Sequence, residues 1–379
     1  KLHQPWTREV AGAFGNGKIK LPEAADVKLD GAQSARKQFL DSKVGVGIDL
    51  FFGGGAFDFQ VQASAGLLVP TKVFTQHPEW FKEEIIPASL SGEPFYDPGK
   101  RWVGCCFSNL GIVYNRDVLR RLHVEQEPRQ WADLANPKML NQVALSDPNK
   151  SGTVTKALEQ LIQQQMILAI EEIKKAPPQF KSEKEIEDIG IRKGWDNGLK
   201  LIQRIGANAR YFSDAATKIP LEVAQGDAAA GMCIDFYGRS FEEQTRKQDG
   251  STRVAFVAPL GGSSVSADPV AVMRGAPEPE LAEAFIEFLL SEPGQQIWNY
   301  QPGVPGGPKR AALRRLPVRR DFYDGSRAAF MTDGGAKPYE DAKAFTYHPE
   351  WTGSLFNAIR FLVKVMCIEP HDEAHNAWK

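Results

Sequence analysis

The chain has 379 residues, 46 of them basic and 47 acidic, with 42% hydrophobic and 25% charged residues. A net charge of −1 leaves no overall field to hold nucleic acid or an anionic membrane, and the chain is too apolar to be largely disordered. No 18-residue stretch is both apolar and uncharged, so no transmembrane helix is expected, and the length calls for two domains or two lobes.

Residues 1–34 are rich in Gly, Pro and charge and follow no clear period. Position 1 is Lys and no signal peptide is read, so the chain is expected to be processed or cut. Residues 44–52, VGVGIDLFF, predict a buried strand running into Gly53-Gly54-Gly55. Three glycines serve either a tight strand-to-helix turn or a loop whose amides approach a ligand closely. The G-x-G-x-x-G pattern of dinucleotide sites is absent. Residues 58–68 predict a helix. Residues 102–115, WVGCCFSNLGIVYN, predict two buried strand pieces broken at Ser108-Asn109. That break suits a β-bulge, or a crossing between lobes with polar groups turned to a cleft.

Residues 142–146 predict a strand, followed by Asp147-Pro148-Asn149-Lys150-Ser151-Gly152-Thr153 and a long helix. In that helix Leu158, Leu161, Ile162, Met166, Ala169, Ile170 and Ile173 share one face, and Pro177-Pro178 ends it. Ser151 and Thr153 suit a plain helix cap, or capture of an anion by free N–H groups. Residues 176–190 predict a charged surface excursion and 195–206 a further helix. Residues 228–237 predict a strand closed by Gly238, with Asp235 and Tyr237 on one side of it. Such a pair suits a hard metal or a cation; alternatively Asp235 caps the next turn.

Residues 253–259 and 269–273 predict strands. Residues 280–290 predict a helix with Leu281, Ala284, Phe285, Phe288 and Leu289 on one face. KRAALRRLPVRR at 309–320 predicts an arginine-rich helix and turn, solvated or docking an acidic partner. Helical material follows, including 355–366. His371 and His375 fall in a polar tail, more like a disordered end than a metal site. Cys105, Cys106, Cys233 and Cys367 lack C-x-x-C spacing and read as small buried hydrophobes. No internal repeat is read. Neither a G-x-S-x-G elbow nor an H-E-x-x-H motif occurs, and no nucleophile–base pair stands out. Short strands alternating with helices of 10–16 residues indicate an α/β chain.

Several segments, in this order, resemble the bacterial extracellular solute-binding proteins of ABC importers, the iron(III)-type branch of family 1 in particular. They are Gly47-Ile48-Asp49-Leu50-Phe51-Phe52-Gly53-Gly54-Gly55 with Gly66-Leu67-Leu68-Val69-Pro70; Gly111-Ile112-Val113-Tyr114-Asn115; and Trp131-Ala132-Asp133-Leu134 with Pro137-Lys138. Then come Ala144 to Pro148 with Ser151-Gly152-Thr153; Val223 to Gly231; and Asp268-Pro269-Val270-Ala271-Val272 with Ala284 to Ser291 and Gly294-Gln295. The resemblance covers about residues 36–300 and implies a two-lobed, type II periplasmic-binding fold with a ligand cleft between the lobes. Lobe 1 is expected over 1–107 plus about 238–300, and lobe 2 over 108–237 plus about 301–379. Nothing in 1–34 matches the family's opening strand, so either lobe 1 is incomplete or 1–34 are an insertion with the strand upstream of a cut, and both readings predict an unpaired strand edge.

The resemblance further implies a binding protein rather than an enzyme, exported to the periplasm or held outside the membrane, that closes on a solute and delivers it to a permease. Carried over by position, the ligand-lining residues are Gly54, Gly55, Ser108, Asn109, Ser151, Gly152, Thr153, Asp235 and Tyr237. Iron binders of this branch use consecutive tyrosines near the last position. Here the strand reads Asp235-Phe236-Tyr237, which fits a cationic or polar organic solute as well as a metal held by Asp235 and Tyr237. No cofactor beyond the bound ligand, and no nucleic acid, is expected. The rival readings are an enzyme acting on a phosphorylated small molecule and a ligand-sensing domain on the same fold.

Overall fold

The computed structural model describes residues 45, 47–175 and 182–378. The expectations for residues 1–34 and for the helix stop at Pro177-Pro178 lie outside them. In chain order the main elements are β1 (Leu50–Phe52), α1 (Ala56–Ser64), β2 (Leu68–Val69), β3 (Ser89–Leu90), β4 (Glu93–Pro94), β5 (Val103–Asn115) and α2 (Arg116–Arg121). Next are β6 (Val143–Ser146), α3 (Gly152–Lys175), α4 (Glu183–Ala207), β7 (Ala209–Ser213), α5 (Lys218–Gln225), β8 (Ala230–Ile234), α6 (Asp235–Gln244) and β9 (Val254–Val257). The rest are β10 (Val265–Met273), α7 (Pro279–Leu290), α8 (Glu292–Asn299), β11 (Leu316–Pro317), α9 (Phe356–Val363) and α10 (His371–Trp378).

β5 is one continuous strand of 13 residues, not two pieces. At about 3.3 Å per residue it reaches roughly 40 Å, long enough to run through both lobes. Its first half pairs with β10 and β11, its second half with β8 and β9. The handover falls between Asn109, opposite Val265, and Leu110, opposite Ile234. Ser108-Asn109 therefore marks the crossing and interrupts nothing, because a new partner strand takes over at the next residue.

Beyond the crossing, β6 pairs in parallel with both β7 and β8. Their C-terminal ends share one edge, and β8 ends beside the crossing point of β5. That edge faces lobe 1. α4 takes up residues 183–190 of the region read as a surface excursion and continues through the expected 195–206 helix. Over residues 190–198 its buried stripe is glycine: Gly190, Gly194 and Gly198 lie against Ile170, Met166 and Ile162 of α3, closely enough that a Cβ would overlap them. With no apolar period on that stripe, the sequence hides the helix.

The core of lobe 1 joins residues 73–107 and 265–342, and that of lobe 2 joins 110–255 and 359–367. The expected boundaries are corrected at both ends. α6 and β9 belong to lobe 2, since Val254 and Ala255 pack in its core. Leu316, Val318, Tyr339 and Ala342 pack in lobe 1, and only the last helices return to lobe 2. In lobe 1, β1 pairs with β10 and, among the described residues, with nothing on its other side. The expectation of an incomplete lobe 1 turns on residues 1–34, which lie outside the described residues.

Three further expectations are corrected. α7 buries Ala282, Ile286, Leu289 and Leu290, while Leu281, Phe285 and Phe288 are exposed, Phe285 edge-on to Phe52 of β1. Residues 309–320 form no helix; Leu316-Pro317 joins the sheet as β11. His371 and His375 lie in α10 and hydrogen-bond to the carbonyls of Ala209 and Ala207. A short repeat also exists: His-Pro-Glu-Trp occurs at 77–80 and at 348–351. In each copy the imidazole stacks on the indole, at 3.9 and 3.8 Å, and contacts the Glu carboxylate.

The run Pro349–Ile368 is as long and apolar as a membrane span, although Glu350, Arg360 and Lys364 interrupt it. It is broken into short helical pieces, and Ile359, Val363 and Cys367 are buried in lobe 2.

Among the described residues the chain crosses between lobes three times: in β5, between β9 and β10, and at 345–349. Where the last two crossings meet α3, a buried polar network forms. Lys156 Nζ lies 3.2 Å from Glu93 Oε1 of lobe 1 and 3.1 Å from Glu159 Oε2 of lobe 2. The Tyr347 hydroxyl donates to Glu159 at 2.9 Å, and Ser264 donates to Glu93 at 2.6 Å. Burial opposes the Lys156 charge, but Glu93 and Glu159 outweigh it and hold its pKa above the ordinary lysine value.

Candidate functional site

The cleft lies between the C-terminal edge of β6, β7 and β8 and the Gly53–Gly55 loop of lobe 1, where ligands bind in open α/β sheets. β1 carries its loop to this level. The Gly53 amide donates to the Pro269 carbonyl at 2.9 Å, next to the register shift of β10 at Asp268/Pro269. Gly53 and Gly54 have φ of +78° and +96°, conformations that L side chains rarely adopt. Gly54 and Gly55 are exposed, and a Cβ at either meets nothing within 4 Å. Gly55 caps α1, whose Phe57 stacks on Phe356 of α9 across the cleft at 4.5 Å.

Opposite lies the start of α3. Ser151 is buried, and its N–H, like that of Lys150, donates to the Asp147 carbonyl at 2.9 Å. Gly152 and Thr153, both half-buried, begin the first turn of a 24-residue helix, where N–H groups have no intrahelical acceptor. Arg360 of α9 lies over this turn. Its Nε donates to Thr155 Oγ1 at 3.2 Å, and its Nη2 would lie 3.7 Å from a Cβ on Gly152. Among the described residues no carboxylate comes within ion-pair distance of it. Burial lowers the Arg360 pKa, and the more distant Asp58 only partly offsets this. A half-buried cation over a helix N-terminus favours an anion at this spot.

The α6 flank is different. Asp235 and Tyr237 do not share one side, because β8 stops at Ile234 and Asp235 opens α6. On a helix two residues are about 200° apart. Tyr237 packs on the core of lobe 2, and Gly238 is a helix residue covered by Phe256. Asp235 is 1% exposed and pairs with Arg239 at 2.7 Å. Burial raises its pKa, opposed by Arg239 and by the amides of Phe236 and Asn109. Among the described residues no group of three or more His, Cys, Asp or Glu could hold a metal ion. The expected Asp235–Tyr237 metal pair is not formed.

Ser108 Oγ donates to Asp268 Oδ1 at 2.9 Å, and Asp268 also pairs with Arg315. Asn109 is half-buried, and its side-chain carbonyl lacks a partner among the described residues. The nine expected residues thus divide: Gly54, Gly55 and Ser151–Thr153 rim one flank, Ser108, Asn109 and Asp235 lie at a charged junction on the other, and Tyr237 packs on the core of lobe 2. Sequence reasoning missed Arg360, Arg239, Arg314, Arg315 and Asp333 as cleft residues. Only the basic density of 309–320 pointed to two of them.

A sequence profile of the bacterial extracellular solute-binding proteins matches residues 42–328. An uncharacterized protein of Haemophilus influenzae is 25% identical over 66% of this chain and 60% of its own length. The phosphoglycerate transport regulatory protein of Salmonella typhimurium is 26% identical over 62% of this chain and 50% of its own. The chain therefore spans only about half to three fifths of these relatives. Among solved structures, a periplasmic binding protein of Actinobacillus pleuropneumoniae with fructose-6-phosphate bound is similar, with TM-score 0.53, 18% identity and coverage of 98% of this chain and 94% of that one. An iron-bound protein of Pseudomonas aeruginosa gives TM-score 0.55, 15% identity and 95% coverage of both chains. The fold is thus the two-lobed periplasmic-binding fold, and with three quarters of its residues matched by the profile, the chain belongs to the bacterial extracellular solute-binding protein family.

Proposed function

We propose that this chain is the solute-capturing component of an ABC importer, working outside the cytoplasmic membrane, and that its solute is a small organic anion such as a phosphorylated acid or sugar. The carrying observation is Arg360, a half-buried cation without a carboxylate, over the Gly152 and Thr153 amides. The phosphoglycerate and fructose-6-phosphate in the names of two similar proteins support the reading.

In this reading the lobes close about the three crossings and trap the anion between the α3 start and the Gly53–Gly55 loop. Charge-assisted hydrogen bonds contribute about 1.5–3 kcal/mol each. Three of them, with apolar contact against Phe57, approach the roughly 8 kcal/mol of micromolar affinity. The permease receives the closed form, and the solute leaves chemically unchanged. A metal cargo would have to free Asp235 from Arg239 first.

Thermal-shift screening followed by calorimetry tests this. Phosphoglycerates and sugar phosphates raise the melting temperature, and Arg360→Ala reduces the rise at the same ligand concentration. Stabilisation by ferric ion or spermidine but by no anion overturns the anionic ligand. Turnover of a phosphate ester by the purified protein overturns the binding-protein reading.

A further inference from the structure

The α6 flank of the cleft carries six charged side chains from both lobes, none of which the proposed anion site uses. Lobe 2 supplies Asp235 and Arg239, both on α6. Lobe 1 supplies Asp268 on β10, Arg314 and Arg315 before β11, and Asp333. Three positive and three negative groups balance. Their side chains are 1% to 24% exposed with the lobes together, and parting the lobes exposes them to water and to stabilisation by salt.

Contacts run both ways between the lobes. Arg239 Nη2 donates to the Arg314 carbonyl at 2.8 Å, and Arg314 Nη1 donates to the Arg239 carbonyl at 2.7 Å. Each guanidinium has its own carboxylate, Arg239 with Asp235 at 2.7 Å and Arg314 with Asp333 at 3.2 Å. Asp333 also reaches Arg239 Nε across the cleft at 3.7 Å. Arg315, held by Asp268, lies 3.8 Å over the Phe236 ring of α6. Asn299 Nδ2 donates to Asp333 at 3.0 Å and fixes its orientation.

Resting on the reading of the chain as a two-lobed solute binder, we propose that this junction is a built-in clasp: Arg314 and Arg315 of lobe 1 grip the first turns of α6 and hold the lobes together without help from the solute. A bound solute ordinarily supplies the contacts that bridge two lobes. Here the chain supplies a set of its own. The equilibrium rests toward closure, entry of the solute waits for the clasp to open, and the solute is confined to the α3 flank. Arg314 and Arg315 restrict the cleft without touching the anion, which makes them positioning residues.

The test is a distance measurement on the full chain. All four native cysteines are buried, so spin labels go selectively on exposed Gln76→Cys in lobe 1 and Gln203→Cys in lobe 2. Without added solute, pulsed electron resonance is expected to give one short distance. Arg239→Met adds a second, longer distance, raising the open population from about a tenth or less to about half or more. Sodium chloride at 1 M does the same to the parent protein, which covers the case in which the variant fails to fold. A long or broad distribution in the parent without solute overturns the clasp. So does an unchanged distribution in both a folded Arg239→Met protein and the parent at high salt. Calorimetry with 3-phosphoglycerate on the same samples separates the two proposals. If the anion does not bind but Arg239→Met opens the lobes, the clasp stands and the anionic ligand falls. If the anion binds and the distances never change, the reverse holds.

Discussion

The two flanks of the cleft face each other within one fold and solve opposite problems. On the α6 flank every charge is answered by the chain itself: Asp235 by Arg239, Asp333 by Arg314, Asp268 by Arg315. On the α3 flank the chain leaves donors over, with two first-turn amides and Arg360 lacking a carboxylate. A buried group that is already paired holds structure, and a group left without its counter-charge is suited to a ligand. By this criterion two of the residues carried over by family position, Ser108 and Asp235, are structural here.

The comparison breaks most visibly under charge deletion. Asp333→Ala leaves Arg314 and Arg239 buried without their shared carboxylate and is expected to lower stability by about 3–5 kcal/mol in urea unfolding. Lys156→Met, which strands Glu93 and Glu159 at the third crossing, belongs to the same range. Arg360→Ala is the counter-experiment. No ion pair is lost, so stability shifts by less than about 1 kcal/mol, yet anion affinity falls roughly 10- to 100-fold as a charge-assisted contact worth about 1.5–3 kcal/mol disappears. If Arg360→Ala unfolds the protein instead, or leaves affinity intact, the flanks are not different in kind.

Titration sharpens the contrast more gently. The Asp235 carboxyl is held above its ordinary 3.8 chiefly by burial. The native state therefore binds more protons than the unfolded chain, and this group makes stability fall as pH rises from about 3.8 through its raised value, with no further change above. Asp97, paired with Arg101 far from the cleft, has the opposite sign. Its burial is outweighed by Arg101, its pKa is lowered, and its contribution is lost only as pH falls through that lower value. Unfolding curves between pH 3 and 6 for Asp235→Asn and Asp97→Asn should therefore depart from the parent with opposite slopes.

Much of the open flank was legible because its signals are local. A β-rich run into three glycines, and Ser-Gly-Thr before an apolar helical period, each lie within a dozen residues. The clasp was not legible. Arg239 and Arg314 are 75 residues apart, and an arginine in a basic run looks the same whether solvated or buried. Asp235 was misplaced because a strand ending and a helix beginning at adjacent residues leave no turn signal between them. The first half of α4 was missed because glycine, not leucine, fills its buried stripe there. The lobe boundaries failed for a related reason: the returns at 254 and 359 depend on which core a segment reaches, a long-range fact.

The glycine loop gives the finest test. Gly54 has φ of +96°, so Gly54→Ala strains the backbone by about 1–2 kcal/mol even though its Cβ meets nothing. Gly55 has φ of −90° in an extended conformation, with equally open space, so Gly55→Ala fits without strain and shifts stability by less than about 1 kcal/mol. The turn needs glycine at 53 and 54, where φ is positive; a ligand drawn close to the backbone needs it at 55 as well. If Gly55→Ala leaves stability alone but weakens anion binding several-fold in calorimetry, the loop belongs to the open flank as a contact surface. If affinity is unchanged, the loop serves only to turn β1 into α1, and the anion is held from lobe 2 alone.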